Sequence, residues 1–587
     1  MEEKRRRPDG RDHRFETCSV AIIAVCTAVF GWYLTLGRPD LMASRNYSNF
    51  FDLQARAIFH GRLSVPQGSL AYEGFVHGGR TYTYFGVFPS LLRAPVMLLT
   101  DRYDGRLTTL SMLAAYLVAM TSSVFLIRRV RLLAGRDGRW STHGLAAALI
   151  VVCVIGIGSN LLFLGAGAWV YNEAELWGVA AALASFATLT RYLEEDRARD
   201  IAVAGIWAAV AWLSRGSVGL APTAALGALA VVRLFPTRWL TPLAPPPVAV
   251  GPTWRRHRRR ALQLAAAALV PMASFSAVNM AKFSSPITVP FGEQVGNHLF
   301  PRSINTLRQY GGNLFSARLV PVTLVQAVRP DLVKPAAQWP FLTFSRHKPI
   351  SLDGVVFASV EPSAGLTATV PALIALGAVG SVAVFRRRRR TDWSTNGASP
   401  DLAPLRPFLI GGAAAAAVPL AIAFIAQRYW SDALPLLIVA AAAGVVVIDQ
   451  VAAVPSSGHP RMAAVGLVMV ATLAVFGIFV VLSTSWLFQR FVIPPDEAAR
   501  GAALRTQAAI ARTLHTPGVS LRRVDALPRR VVPGQIVVVG RCVGLYYGLD
   551  GAWTAVEKVR PGHAHQLGAQ PSRTPTCDAL VHGDSGR

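Results

Sequence analysis

The chain has 587 residues, of which 52% are hydrophobic and 16% are charged, whereas soluble domains usually carry about 25% charged residues. This composition and the mean hydropathy of +0.39 argue against an ordinary cytosolic enzyme and favour a membrane protein with several apolar runs of about 20 residues. The net charge of +27 would also suit a nucleic-acid-binding protein, so the positions of the basic residues decide between the two classes.

The apolar runs predict an α-helical polytopic membrane protein with about eleven transmembrane helices. Residues 1–18 form a basic cytoplasmic N-terminus, residues 19–484 the transmembrane domain, and residues 485–587 an extracytoplasmic tail. No small-residue cleavage site follows the first run, so we interpret it as a span and not as a signal peptide. The predicted spans lie near 19–36, 107–127, 143–165, 176–190, 201–214, 217–232, 261–281, 364–385, 407–426, 433–449 and 462–484.

The arginine distribution predicts the orientation of these spans. Segments on the side of the N-terminus carry 28 of the 59 Lys and Arg residues, including the runs at 255–260 and 386–390. The short connections on the other side carry only Arg215 and Arg428. By the positive-inside rule, the protein is a multi-pass plasma-membrane protein with a cytoplasmic N-terminus and an extracytoplasmic C-terminus. The arginine runs are then topology anchors, and we expect no nucleic-acid partner.

Polar residues at the ends of the spans gather on the outer side. The middles of the spans hold almost no ionisable residue, which makes a proton-coupled transporter the weaker interpretation. Outer loops at 37–106 and 282–363 lie on the same side. The sequence thus predicts a polar floor beneath an outward-facing cavity, formed by Glu173, Glu175, Arg215, Arg428 and Asp432.

The first outer loop contains a predicted amphipathic helix. Phe51, Ala55, Ile58 and Phe59 recur at helical spacing, and Gly61 ends the helix, which we expect to lie along the membrane surface. Asp52 and Arg56 would form an i, i+4 pair on one face, either as a surface ion pair or as catalytic groups. In the following segment, 73–89, the aromatic residues are either interfacial belt residues or a platform for a sugar ring.

The tail contains three apolar runs that predict strands, at 535–540, 543–547 and 552–556. They indicate a small extracytoplasmic β-rich domain. We expect Cys542 and Cys577 to form a disulfide there, since both fall in the exported tail.

Three segments resemble the polytopic GT-C glycosyltransferases, in particular the protein O-mannosyltransferase-like families and their bacterial lipid-linked-sugar relatives. Residues 206–220 (IWAAVAWLSRGSVGL) resemble their G-L-A-x-L-T-K-G-P-x-G-L stretch, and residues 427–437 (QRYWSDALPLL) resemble R-Y-x-x-P-x-L-P. Residues 55–61 (ARAIFHG) are similar to the A-R-x-L-L-x-G helix of the first outer loop. Ser48 and Asn49 stand where these families usually carry an acidic residue.

The resemblance implies transfer of a sugar, with inversion, from a polyprenyl-phosphate donor to a glycan, lipid or protein acceptor at the outer face. Asp52 or Asp40 would then be the catalytic base, and Arg215 and Arg428 would bind the phosphate. The other expected substrate-binding residues are Glu173, Arg56 and Tyr84. The sequence indicates no required cofactor, although a divalent cation is compatible with this chemistry. The alternatives are a membrane transporter or flippase, or a structural component of cell-envelope assembly.

Overall fold

The structure is a computed structural model of the chain. It describes residues 13–44, 47–135, 139–235, 254–336, 338–345, 349, 352, 354–386, 401–453 and 459–492, together with short stretches of the tail. The described part of 1–492 is mostly helical. The helices are α1 (Arg14–Leu34), α2 (Phe50–Phe59), α3 (Phe88–Met97), α4 (Thr108–Leu133), α5 (Thr142–Ile157), α6 (Asn160–Leu164), α7 (Val170–Glu195), α8 (Ala198–Trp212), α9 (Gly216–Leu234), α10 (Trp254–Phe283), α11 (Pro301–Gln309), α12 (Val320–Val328), α13 (Leu366–Thr369), α14 (Pro371–Phe385), α15 (Arg406–Ala417), α16 (Leu434–Ala453) and α17 (His459–Leu487).

Nine helical segments in the described residues are long and apolar enough to cross a membrane. This agrees with a polytopic α-helical membrane protein, and each of the nine overlaps a predicted span. The segments are Arg14–Leu34, Thr108–Leu133, Thr142–Leu164, Val170–Glu195, Gly216–Leu234, Arg255–Phe283, Ala403–Ala421, Gln427–Ala453 and Arg461–Val492.

Two of the eleven predicted spans correspond to helices that are shorter than these nine. Predicted spans 201–214 and 364–385 correspond to α8 and α14, and each of these helices has 15 residues. At about 1.5 Å per residue each helix is roughly 22 Å long, so the residues next to it must complete a span of the ~30 Å hydrocarbon layer. The apolar runs predicted the two helices, but they did not show where the helices end.

Short strands are interspersed between the helices. They are β1 (Phe75–His77), β2 (Arg80–Tyr82), β3 (Val333–Pro335), β4 (Leu342–Phe344), β5 (Ser359–Val360) and β6 (Phe424–Ile425). β1 and β2 form an antiparallel hairpin, with Phe75 opposite Tyr82. Gly78 and Gly79 make its turn with φ of +55° and +73°, which suits glycine because both positions need a positive φ. β5 and β6 pair in parallel and join the second outer loop to the segment before α16.

The chain forms two compact units. The first contains residues 1–329, 349–361 and 366–481, and the second contains residues 330–348, 362–365 and 482–587. In the first unit, the first outer loop packs on the start of α7 through a core of buried apolar residues. This core contains Phe50, Phe51, Ala57, Val65, Leu70, Phe85, Val170 and Ala174.

The second unit contains the β3–β4 pair and the strands of the tail. The tail strands are β7 (Arg522–Val524), β8 (Ile536–Val539), β9 (Cys542–Tyr547) and β10 (Trp553–Lys558), in the sheet order β10-β9-β8-β7. Four short strands do not establish a β-rich domain, which therefore stays a prediction. Cys577 and the side chain of Cys542 lie outside the described part of the chain, and so does their predicted disulfide.

Candidate functional site

Two arginines lie close to the same tyrosine ring. The guanidinium carbons of Arg215 and Arg428 each lie 5.2 Å from the centre of the Tyr429 ring. The Arg428 guanidinium also lies 5.2 Å from the Tyr171 ring. Both arginine side chains are largely buried, with 17% and 10% of their surfaces exposed. The structure thus brings together the two cations that the sequence placed in separate outer connections.

Arg215 lies in the sharp connection between α8 and α9, in extended conformation. Two close approaches of the backbone hold this connection. A Cβ atom at Gly178 of α7 would lie 2.8 Å from the Arg215 Cβ, and one at Gly86 would lie 1.9 Å from the Leu213 carbonyl oxygen. The backbone N–H of Phe88 donates to that carbonyl at 2.8 Å. Side chains larger than hydrogen at these two glycines would therefore push Arg215 away from its neighbours.

Arg428 lies in a 3-10 helix, Gln427–Ala433, directly after β6. Its Nη1 donates to both carboxylate oxygens of Glu361, at 2.9 and 2.7 Å. The β5–β6 pairing places Glu361 there, because the Glu361 N–H donates to the Ile425 carbonyl at 2.8 Å. The Nε of Arg428 is buried and has no hydrogen-bond partner among the described residues. One edge of this guanidinium is therefore held in place, and the other has unused donor capacity.

Two fully buried carboxylates lie next to Arg215. The Arg215 Nε is 2.9 Å from Glu175 Oε2 and 4.0 Å from Asp432 Oδ1, and neither carboxylate has exposed surface. The two carboxyl groups also hydrogen-bond to each other. A buried cation needs an opposite charge nearby, and these two acids supply it for Arg215.

Glu73 and Tyr84 from the first outer loop complete the cluster. Glu73 accepts a hydrogen bond from Gln294 Nε2 at 3.0 Å and another from the Tyr171 hydroxyl, and it lies within electrostatic range of Arg428. Burial raises the pKa of the Glu73 carboxyl above its ordinary value, although these donors and Arg428 oppose the rise. Tyr84 interacts with both arginines, and burial also raises its pKa.

Asp52 and Glu173 belong to a different buried network, centred on Arg93. The Arg93 Nε donates to Asp52 Oδ1 at 3.1 Å, and its two Nη atoms donate to the two Glu173 oxygens at 2.7 Å each. The Gly105 N–H donates to the second Asp52 oxygen at 3.2 Å. Burial raises the pKa of the Asp52 carboxyl to about 6, and Arg93 opposes this rise. No contact with Arg215 or Arg428 is described for Asp52.

Arg56 and Asp40 also lie apart from the two arginines. Arg56 does not pair with Asp52 as expected: its Nη2 binds Asp104 at 2.9 Å, and it donates to the carbonyls of Met97 and Thr100 at the end of α3. Asp40 is exposed and accepts the backbone N–H of Met42 at 3.0 Å. The predicted helix α2 is present, and its buried residues include both Phe51 and Asp52. Its predicted position along the membrane surface stays a prediction.

The structure thus brings together Arg215, Arg428 and Tyr84 of the predicted site, and it places Asp52, Asp40, Arg56 and Glu173 elsewhere. Sequence reasoning did not single out Glu73, Tyr171, Glu361 and Tyr429. Tyr429 adjoins a predicted arginine, which was an available signal. Glu361 comes from a loop without a recognisable pattern.

A metal requirement is not decided by these residues. In the described ranges, no group of three or more His, Cys, Asp or Glu side chains is arranged to hold a metal ion. The adjacent Glu175 and Asp432 supply two carboxylates, both already close to Arg215. The compatibility with a divalent cation therefore stays an untested expectation.

Comparison with known proteins gives a limited result. No family model matches the chain, and no curated protein matches it. Solved structures of an oligosaccharyltransferase from Archaeoglobus fulgidus are similar at 14% identity and a TM-score of 0.38. The alignment with the apo form covers 81% of this chain and 56% of the archaeal chain. The alignment with a complex of that enzyme, AglB, with an inhibitory peptide and a dolichol-phosphate covers 79% of this chain and 55% of the archaeal chain. The chain spans about half the length of these structures, and a likeness of this degree fixes neither a reaction nor the role of a residue.

Proposed function

We propose that the protein is a GT-C-type glycosyltransferase, which moves a sugar from a polyprenyl-phosphate donor to an acceptor at the outer face of the membrane. The observation that supports this most is the convergence of Arg215 and Arg428 on Tyr429 beside membrane-spanning helices. Guanidinium groups bind phosphate oxygens through paired hydrogen bonds. Two such groups at the ends of spans suit a phosphate attached to a lipid chain.

In this proposal the arginines act on the leaving group. When the bond between the anomeric carbon and the phosphate oxygen breaks, the electron pair remains on the phosphate. Arg428 has an unused Nε donor, and Glu361 fixes its orientation. Cations that are already in position stabilise the developing charge without having to reorganise during the reaction.

Binding of tritiated decaprenyl phosphate to the full-length protein in nanodiscs tests this assignment independently of the sugar. Because a charge-assisted hydrogen bond contributes roughly 1.5–3 kcal/mol, Arg428→Ala should weaken binding about 10- to 100-fold. Arg428→Lys keeps the charge but loses the paired geometry, and it should fall between Arg428→Ala and wild type. Arg318→Ala, at an exposed position of the second outer loop, serves as the control and should bind like wild type.

Equal binding by wild type and Arg428→Ala would contradict the proposal. A transporter or flippase would bind a lipid-linked sugar and move it without breaking the glycosidic bond. A structural component would bind neither the lipid phosphate nor the sugar lipid.

A further inference from the structure

The two outer loops, 37–106 and 282–363, meet at Glu73, which lies within electrostatic range of Arg428. The Val295 N–H donates to the Gly74 carbonyl at 3.0 Å, and Gln294 pairs with Phe75 as an isolated bridge. The Gln294 side chain donates to Glu73. Glu73 is therefore held by residues from both loops, on a short 3-10 helix, Ala71–Glu73.

Two exposed aromatic rings lie next to Glu73. Tyr72 is 38% exposed and Phe300 is 54% exposed, and their ring centres lie 6.4 Å apart at an interplanar angle of 86°. Tyr72 comes from the first loop and Phe300 from the second. The Tyr47 ring packs against the Tyr72 ring, with ring centres 5.7 Å apart. Exposed aromatic rings next to hydrogen-bonding groups suit the apolar face and the hydroxyls of a sugar ring.

Tyr171 links this edge to the arginines. Its hydroxyl binds the Glu73 carboxylate, and its ring stacks on the Arg428 guanidinium at 5.2 Å. Glu73 and Arg428 thus contact the same tyrosine side chain, Glu73 at its hydroxyl and Arg428 at its ring. A carboxylate and a cation therefore lie in one cluster, as a transfer site with a proton acceptor and a phosphate-binding group requires.

We propose that the acceptor is a carbohydrate whose ring lies against Tyr72 and Phe300, and that Glu73 is the general base that takes the proton from its hydroxyl. This inference rests on the proposed transferase function. The acceptor oxygen attacks the anomeric carbon of the donor and forms the new glycosidic bond while the bond to the phosphate oxygen breaks. The electron pair leaves with the polyprenyl phosphate, next to Arg428. The hydroxyl proton moves to the Glu73 carboxylate, and the anomeric configuration inverts.

The environment of Glu73 suits this role. It is partly buried and near Glu361, two factors that favour its protonated form, and so it accepts a proton more readily than an exposed glutamate does. Its two hydrogen-bond donors fix the orientation of the carboxylate. Asp52, in contrast, lies in the separate network around Arg93.

The base is tested by Glu73→Gln, with synthetic farnesyl-phosphate hexoses and pentoses as donors and methyl glycosides as acceptors. The kcat should fall about 10²- to 10⁴-fold, while the Kd for decaprenyl phosphate stays that of wild type. Glu293→Gln is the matched control, because this partly exposed acid in the same region pairs with His77. It should leave both values unchanged. An unchanged kcat in Glu73→Gln overturns the assignment of the base.

The acceptor surface is tested by saturation-transfer NMR with methyl glycosides and the nanodisc-embedded protein. Wild type should transfer saturation to the sugar protons, and Tyr72→Ala combined with Phe300→Ala should abolish the transfer. Leu299→Ala, at the neighbouring position with 62% exposure, should keep it. Absence of the signal in wild type overturns the carbohydrate surface.

The two proposals fail differently. If wild type binds no decaprenyl phosphate and transfers none of the sugars, the transferase function is wrong, and so is the role of Glu73. If wild type transfers sugar and Glu73→Gln does so at the same rate, only the further inference is wrong.

Discussion

Asp52 shows how burial changes the behaviour of a single carboxyl group in this protein. Its side chain is only 3% exposed, and its pKa of about 6 lies above the ordinary value of 3.8 because burial disfavours the charged form. The folded protein therefore binds the Asp52 proton more tightly than the unfolded chain does. The stability from this group is fully present below about pH 4 and is lost as the pH rises through about 6.

We predict that the difference in stability between wild type and Asp52→Asn depends on pH. The substitution removes the titrating group, so wild type should lose up to about 3 kcal/mol relative to Asp52→Asn between pH 4 and pH 7. Thermal unfolding in detergent at four pH values measures the difference. Asp104→Asn, at a more exposed carboxyl paired with Arg56, serves as the comparison. A difference in Tm that stays constant over this range would contradict the raised pKa.

At the scale of the elements, Arg93 ties four helices together. It lies on α3, contacts Asp52 on α2 and Glu173 on α7, and also donates to Thr108 at the start of α4. Its side chain is 1% exposed. The first outer loop is thus fixed to the membrane-spanning helices by one guanidinium with two buried carboxylates.

We predict that Arg93→Met destabilises the protein by about 3–5 kcal/mol, because it leaves two buried carboxylates without a cation. The loss should appear as a lower Tm in detergent. Arg102→Met, at an exposed position in the connection to α4, should change the Tm little. Neutralising the carboxylates as well, with Asp52→Asn and Glu173→Gln, should recover most of the loss. A triple variant as unstable as Arg93→Met would show that packing, and not charge, accounts for it.

The elements were largely predictable from the sequence, but the contacts between them were not. The helical spacing of Phe51, Ala55 and Ile58 predicted α2 correctly. It also suggested that Asp52 and Arg56 pair on one face, whereas each binds a partner more than 40 residues away. Local spacing defines a helix face, but it does not identify which distant element covers that face. The meeting of Arg215 and Arg428 was predictable only as far as the sequence assigned both to the same side of the membrane.

At the scale of the whole molecule, the positions of the basic residues predict on which side of the membrane each loop lies. The arginine run at 255–260 begins the span Arg255–Phe283, and the second outer loop follows that span. Five of the six residues in the run are arginines, and transferring such a cluster across a bilayer is costly. The orientation of this one span therefore determines on which side of the membrane Arg215, Arg428 and the two outer loops are expected.

We predict that the two ends of this span react from opposite sides of the membrane. In a variant without native cysteines, His257→Cys should react with an impermeant maleimide only after the membrane is permeabilised. Ile287 lies just after the span and is 72% exposed, so Ile287→Cys should react in intact cells. A tag at the end of the chain should likewise be reachable from outside. Because Glu73, Arg215 and Arg428 are assigned to the side of Ile287, labelling of Ile287→Cys only after permeabilisation would place the proposed transfer in the cytoplasm and contradict the orientation derived from the arginines.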